Sequence, residues 1–321
     1  MRAKARALRL AVALAAVVSV AGAARAPAAH AWGGTYPTST GETVRVTVSD
    51  RYPVDEALAR GWAEYLASLV HGPEIARVTL HLAPFNEVQF VCGLDALACY
   101  NFQRELITAP RDDIPDGPTA QAIVAHEYGH HITRNRLNPP WDPLSYGTKR
   151  WAPRIGVCAG VDAGRLFPGG LGPRYRLDPG EVFAESYRLL SELRAGRPET
   201  AWDIVDASFR PNAAALAALE QDVVDPWTRP TAERRSGSFQ ARGTATRSFP
   251  LATPLDGRLV ITLRAPAKMR LRLALYDPRR KKIVATGGRR LRTNVCGHRS
   301  LTVRVSRQAG LGRFSLRVSK P

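Results

Sequence analysis

An α+β domain followed by an antiparallel β-sandwich is the fold class this sequence predicts, and three observations carry that prediction. Residues 32 to 231 mix strand-like alternation with stretches of helical spacing. Residues 232 to 321 instead show short apolar alternations punctuated by Gly and Asp-Pro turns. The charge changes sign at the same place: 19 basic and 25 acidic side chains before it, 22 basic and three acidic after it, or −6 against +19. The seam falls at Pro226-Trp227-Thr228-Arg229-Pro230, a proline-bounded linker.

Residues 1–31 read as a secretion signal. Arg2, Lys4, Arg6 and Arg9 form its charged end, Leu10 to Val20 its apolar core, and Ala29-His30-Ala31 an A-x-A cleavage site before Trp32. The apolar run is too short and alanine-rich to span a bilayer well, and no later segment reaches that length. The expectation is a soluble exported chain, extracellular or associated with the cell surface. The chain beyond the leader is too long for one comfortable core, so two domains are expected, 32–231 and 232–321.

Within the first domain, Thr43 to Val48 alternates as a strand, and Val54 to Leu69 reads as a helix with Leu58, Trp62, Leu66 and Leu69 inward. Ala76 to Leu82 is a second strand. Leu97 to Thr108, with Tyr100 and Phe102 alternating, suits a third. Asn138 to Leu177 is rich in Gly and Pro and is expected to be an ordered loop region walling a cleft. Helices are expected over Glu181 to Leu193 and Asn212 to Val223. In the second domain, strands are expected at 259–263, 271–276, 283–285, 301–305 and 314–318.

The chemistry concentrates in His126-Glu127-Tyr128-Gly129-His130. Helical residues four apart share a face, so His126 and His130 can turn their imidazoles to one ion. Glu127 is displaced enough to miss the ion yet reach a water beside it. This is the H-E-x-x-H arrangement of zinc hydrolases, with Glu127 as general base. Pro118 suits the first turn of the helix, and Asn138-Pro139-Pro140 ends it. Ala122, Ala125, Gly129 and Ile132 form a second, mostly small-residue stripe that permits close packing on a neighbour. His131 points about 100° from His130 and is assigned to packing or surface, not to the ion.

A third ligand is needed, and the other histidines offer little: His30 lies in the leader, His71 and His81 far upstream, and His298 in the second domain. Asp178 and Pro179 open a helix on which Glu181 and Glu185 stack at i and i+4. Glu181 can ligate zinc while Glu185 hydrogen-bonds a ligand histidine from behind. Asp178-x-x-Glu181 also reads as a capping box, in which Glu181 only closes the helix.

His126-Glu127-x-x-His130 followed by Glu181-x-x-x-Glu185 resembles the gluzincin metallopeptidases. The pentads His126 to His130 and Glu181 to Glu185 resemble more particularly those of the anthrax lethal factor catalytic domain. The likeness covers about residues 115 to 195. It implies a zincin-like α+β domain, Zn2+ held by His126, His130 and Glu181, and a tyrosine slightly upstream of the third ligand. Tyr175 is that candidate for assisting the oxyanion, with Tyr146 as the alternative. The zincin plan also implies an edge strand that pairs with extended peptide. Leu255-Asp256-Gly257-Arg258 and Leu275-Tyr276-Asp277-Pro278 resemble the pre-peptidase C-terminal domains of secreted bacterial proteases. Met269-Arg270-Leu271-Arg272 places arginines where those domains carry acidic residues.

The expected function is a secreted zinc-dependent peptidase. The alternatives are a non-catalytic binding or adhesion protein with a structural metal, and a zinc amidase acting on cell-wall peptide. Four cysteines fit an oxidising compartment and allow three pairings, of which Cys92–Cys99 with Cys158–Cys296 is the simplest. The +19 domain suggests contact with an anionic cell-surface polymer. No phosphate loop, recognition-helix pattern or aromatic-interleaved basic strand points to specific nucleic acid.

Overall fold

The computed structural model describes Ala31–Pro321, apart from His298 and the side chain of Arg299. The expected leader lies outside these residues except for Ala31, which opens the first strand. Five strands form one sheet: β1 (Ala31–Pro37), β2 (Thr43–Ser49), β3 (Thr79–Ala83), β4 (Cys99–Asn101) and β5 (Leu106–Pro110), in the order β1-β2-β3-β5-β4. The central β2, β3 and β5 run parallel, while β1 and β4 are antiparallel edges. Parallel pairing demands a crossover, and α1 (Glu56–Ser68) supplies the one from β2 to β3. Asp55 caps it, its carboxylate accepting the Leu58 N–H at 3.0 Å.

The expected single strand over 97–108 is instead a hairpin of β4 and β5. Asn101 Oδ1 accepts from the Gln103 and Arg104 N–H groups, both at 3.1 Å, and Glu105 takes a φ of 50°. The backbone therefore reverses, and Phe102 ends up exposed rather than alternating inward. The second expected strand starts later, at Thr79, because Pro73–Arg77 coils into a 3-10 turn.

Helix α2 (Phe85–Cys92) follows β3, and α3 (Ala120–Arg134) follows β5. Pro118 is not in the first turn of α3. Thr119 is the cap, its hydroxyl accepting the Ala122 N–H at 3.1 Å, and Asn135 ends the helix. The stretch expected as loop between Asn138 and Leu177 carries α4 (Pro143–Tyr146), α5 (Trp151–Ile155), α6 (Val157–Asp162) and a 3-10 turn at Gly172–Leu177. These pieces are too short, and too interrupted by Gly147, Gly156 and Gly164 at positive φ, to show helical periodicity. Helices α7 (Pro179–Arg194) and α8 (Ala213–Val224) complete this part.

Eight strands come next: β6 (Thr231–Phe239), β7 (Thr246–Thr253), β8 (Gly257–Arg264), β9 (Arg270–Asp277), β10 (Lys282–Gly287), β11 (Arg290–Val295), β12 (Arg299–Ala309) and β13 (Gly312–Lys320). They form two antiparallel sheets, ordered β10-β9-β12-β7 and β11-β8-β13-β6. Alternate residues of both, among them Leu259, Ile261, Leu273, Leu275, Val303 and Leu316, bury one shared core. A separate core joins the mixed sheet to the helices. Three of these strands escape sequence alternation. Strands β6 and β7 are edges, and β7 carries Pro250, which an edge tolerates. Only Leu291 and Val295 of β11 are buried.

Two disulfides are present. Cys92–Cys99 spans seven positions and Cys158–Cys296 spans 138, tying α6 to the segment between β11 and β12. By loop-closure entropy the long link constrains the unfolded chain by about 5 kcal/mol, and the short one by about half that. No helix among the described residues is long and apolar enough to cross a membrane.

Lys149 is another tie. It is 1% exposed, donates to the Pro139 carbonyl at 2.7 Å, and sits 4.9 Å from the Trp227 ring centroid. A Cβ on Gly257, the first residue of β8, would lie 2.8 Å from its Nζ. Burial pulls its pKa down to about 8, against the opposing pull of Asp256 and Asp222. Between that value and the ordinary 10.5, the unfolded chain holds a proton that the folded chain releases, so this group adds stability as pH rises. Melting temperatures of the native chain and Lys149→Met, compared from about pH 7.5 to about 10.5, should diverge by several degrees in favour of the native chain. A constant difference would show that Lys149 is not held in a charge-disfavouring site.

Candidate metal centre

Two helices build the centre, and their close approach follows from small residues. A Cβ on Gly129 of α3 would stand 2.8 Å from the Ala184 Cα of α7, so any larger residue would force the helices apart. Around that contact, Val124, Tyr128, Ile132, Phe183 and Tyr187 are fully buried. His126 and His130 project from the same face of α3, their rings 5.3 Å apart. Glu181 lies in the first turn of α7, behind its cap. The Asp178 carboxylate accepts the Gly180 N–H at 2.8 Å. The Asp178 N–H donates to the Tyr175 carbonyl, so the reciprocal half of a capping box is not made.

The Glu181 carboxylate turns to the histidines instead. Its Oε2 lies 3.2 Å from His126 Nε2 and 3.5 Å from His130 Nε2. All three potential ligand atoms fall within 4.8 Å of one another. Ligands about 2.05 Å from a tetrahedral ion stand about 3.3 Å apart, so the nitrogen–oxygen spacings are those of a zinc-sized cation. The donor set fits as well: two imidazole nitrogens and one carboxylate oxygen are borderline ligands that suit zinc.

Protonation is set from behind. Glu185 is fully buried, and its Oε2 lies 3.0 Å from His126 Nδ1. A carboxylate can only accept here, so Nδ1 carries the proton and Nε2 is directed at the centre. The other Glu185 oxygen accepts from Arg188 at 2.6 Å, and Arg188 also donates to Glu192 at 2.5 Å. Glu192 in turn accepts from the Thr200 hydroxyl at 2.6 Å and its N–H at 3.0 Å. Sequence reasoning does not reach Arg188, Glu192 or Thr200. The charges at i+3 and i+7 after Glu185 are the available signal.

Burial opposes a positive His126, yet Glu181 and Glu185 outweigh it and lift its pKa to about 10. Burial also opposes an ionised Glu181, but His130 and His126 hold it well below the usual carboxylate range. Glu127 is buried next to this cluster, and burial pushes its carboxyl up despite both histidines. A buried carboxyl moved towards neutrality by its surroundings is suited to taking and returning a proton near pH 7.

Tyr175, on the 3-10 turn before α7, donates its hydroxyl to Glu181 Oε2 at 2.6 Å. Burial and Glu181 both push its pKa up, so the hydroxyl stays protonated and a donor. Tyr146 stacks on Trp141, with ring centroids 5.8 Å apart. His131 is fully buried, hydrogen-bonded to the Glu74 carbonyl at 2.9 Å and to the Tyr100 hydroxyl at 3.0 Å. It is therefore a packed residue outside the centre. His71 and His81 approach Glu42 and Glu87 respectively, also outside it.

No protein-family model matches this chain. No curated protein matches it either. Among solved structures, a mitogen derived from Yersinia pseudotuberculosis aligns at 13% identity and TM-score 0.24, over 29% of this chain and 87% of its own. The pre-peptidase C-terminal domain of a Bacillus anthracis collagenase aligns over the C-terminal part at 15% identity and TM-score 0.23, covering 27% and 87%. A periplasmic inhibitor of g-type lysozyme from Aeromonas hydrophila aligns at 11% and TM-score 0.23, covering 28% and 85%. These likenesses are too slight to carry an argument about fold or activity.

The geometry separates the two glutamates. Glu181→Ala should abolish tight zinc binding, while Glu185→Ala should weaken it about 10–100-fold, because the second residue acts only through His126. Competition with a chromogenic chelator measures both. Native affinity in the Glu181 variant would remove that residue from the centre.

Proposed function

We propose that this protein is a secreted zinc-dependent peptidase whose metal is held by His126, His130 and Glu181. The observation that supports this most is the convergence of two Nε2 atoms on one carboxylate oxygen at 3.2 and 3.5 Å, with Glu127 buried alongside. Among the described residues the cluster has three ligating side chains. Three protein ligands are the set of a catalytic site, whereas a structural site closes with four. In this reading the sheet and its two helices form a zincin-like domain, and β4, as an edge strand, is the element that would pair with extended peptide.

Zinc bound there supplies Lewis acidity to a water and to the scissile carbonyl. The residues do the rest. Glu127 accepts a proton from the attacking water as the new C–O bond forms. It returns that proton to the amide nitrogen as the C–N bond breaks, so no net proton is gained or lost. Tyr175, already donating at this site, can turn its hydroxyl from Glu181 to the oxygen on which negative charge develops. Glu185 and Arg188 fix the His126 ring throughout.

Glu127→Gln keeps the shape and removes the base. Hydrolysis of a peptide library by this variant should fall about 10²–10⁴-fold, with zinc content unchanged. Full activity would contradict the assignment. Peptides left uncut by the native enzyme, alongside hydrolysis of cell-wall peptide, would point to the amidase alternative.

A further inference from the structure

We infer that the outer face of the sheet β11-β8-β13-β6 is a docking surface for a linear phosphodiester polymer that lacks bases and acyl chains. Directly paired residues of antiparallel strands project to the same face. The register places Arg290 opposite Thr262, Thr262 opposite Arg317, and Arg317 opposite Arg234. One row therefore crosses all four strands, about 14 Å wide, as Arg-Thr-Arg-Arg. Arg292 lies two residues along β11 from this row and Arg264 two along β8, on the same face. Arg258 and Arg313 stand farther along the same side of β8 and β13. All seven arginines are exposed.

Nothing on this face offsets their charge. Among the described residues, none of the seven guanidinium groups donates a hydrogen bond or joins an ion pair within the chain. The only carboxylate in the sheet is Glu233. It pairs with Val318, whose side chain is in the core, so it points to the other side, where Arg235 and Lys320 meet it. Asp277 belongs to the opposite sheet, and Asp256 is buried ahead of β8. Arg317 directly opposite Arg234 is a like-charge pair, which costs folding free energy. A surface that retains such a pair without a counter-charge is matched to an external polyanion.

The rest of the face narrows the chemistry. Between the arginines stand Thr262, Ser236, Ser315 and Ser319, small hydroxyls that can hydrogen-bond phosphate oxygens. There is no aromatic ring to stack a base, and the half-buried Val260 is the largest apolar side chain. Single-stranded nucleic acid and a lipid surface both draw on features missing here. Planar guanidinium groups that bind phosphate oxygens in pairs are present in excess. The opposite sheet differs: its outer face sets Arg304 over the Tyr276 ring at 3.5 Å and exposes Ile283.

The test uses the full chain and poly(glycerol phosphate). One triple variant, Arg234→Gln/Arg290→Gln/Arg317→Gln, is compared with another of equal charge change on the opposite sheet, Arg270→Gln/Arg272→Gln/Lys282→Gln. At about 0.1 M salt the first should bind at least about tenfold more weakly, with its log–log salt slope reduced by about two, and the second less than about threefold. Melting temperatures should not fall in the first triple, since a like-charge pair is removed. Equal weakening in both triples would mean that net charge alone attracts the polymer. Tighter binding of single-stranded RNA or of phosphatidylglycerol vesicles, at matched phosphate, would overturn the stated occupant.

Discussion

The contact between Gly129 and Ala184 fixes the distance on which the rest of the centre depends. Two helices meeting through small residues approach more closely than larger side chains allow. Glu181 sits one turn before Ala184, and His126 and His130 flank Gly129. The carboxylate is thus brought to the imidazoles by backbone proximity. The same closeness buries Glu127, Glu185 and Arg188; burial pushes the Glu127 carboxyl up, whereas His126 and Arg188 hold the Glu185 carboxyl below its usual range against burial.

Magnitudes indicate what the buried charges are for. A buried ion pair contributes little net stability, because desolvation consumes most of its attraction, whereas breaking one costs about 3–5 kcal/mol. The chain Thr200–Glu192–Arg188–Glu185–His126 is therefore better understood as a positioning device than as a source of stability. It holds one imidazole in one tautomer. The long disulfide and Lys149 act at a larger scale, tying the helical part of the chain to the C-terminal sheets.

How much was legible in the sequence depends on range. His126, Glu127 and His130 are local to one helix, so their spacing alone places them on one face. Glu181 and Glu185 were legible as a second helical pair. Tertiary packing brings Glu181 to the histidines from 51 positions away; the small-residue stripe signals a close neighbour for the first helix without saying which element it is. Thr200 was invisible because its partner lies across a loop. The hairpin at 102–105 was missed because Asn101 side-chain bonds reverse a stretch that alternates well. Edge strands β6 and β7 were missed because one side of an edge has little to bury. The arginine row needed strand register, which composition cannot supply.

The proposed chemistry requires that two imidazoles and one carboxylate form a single zinc site. X-ray absorption at the zinc edge, on the purified chain loaded with one equivalent, tests it most directly. Two histidine nitrogens and oxygen neighbours are expected, all at about 2.0–2.2 Å and with no sulfur. In Glu181→Ala the oxygen that Glu181 supplies should be lost. A sulfur neighbour near 2.3 Å, or a spectrum with a single imidazole, would contradict that site.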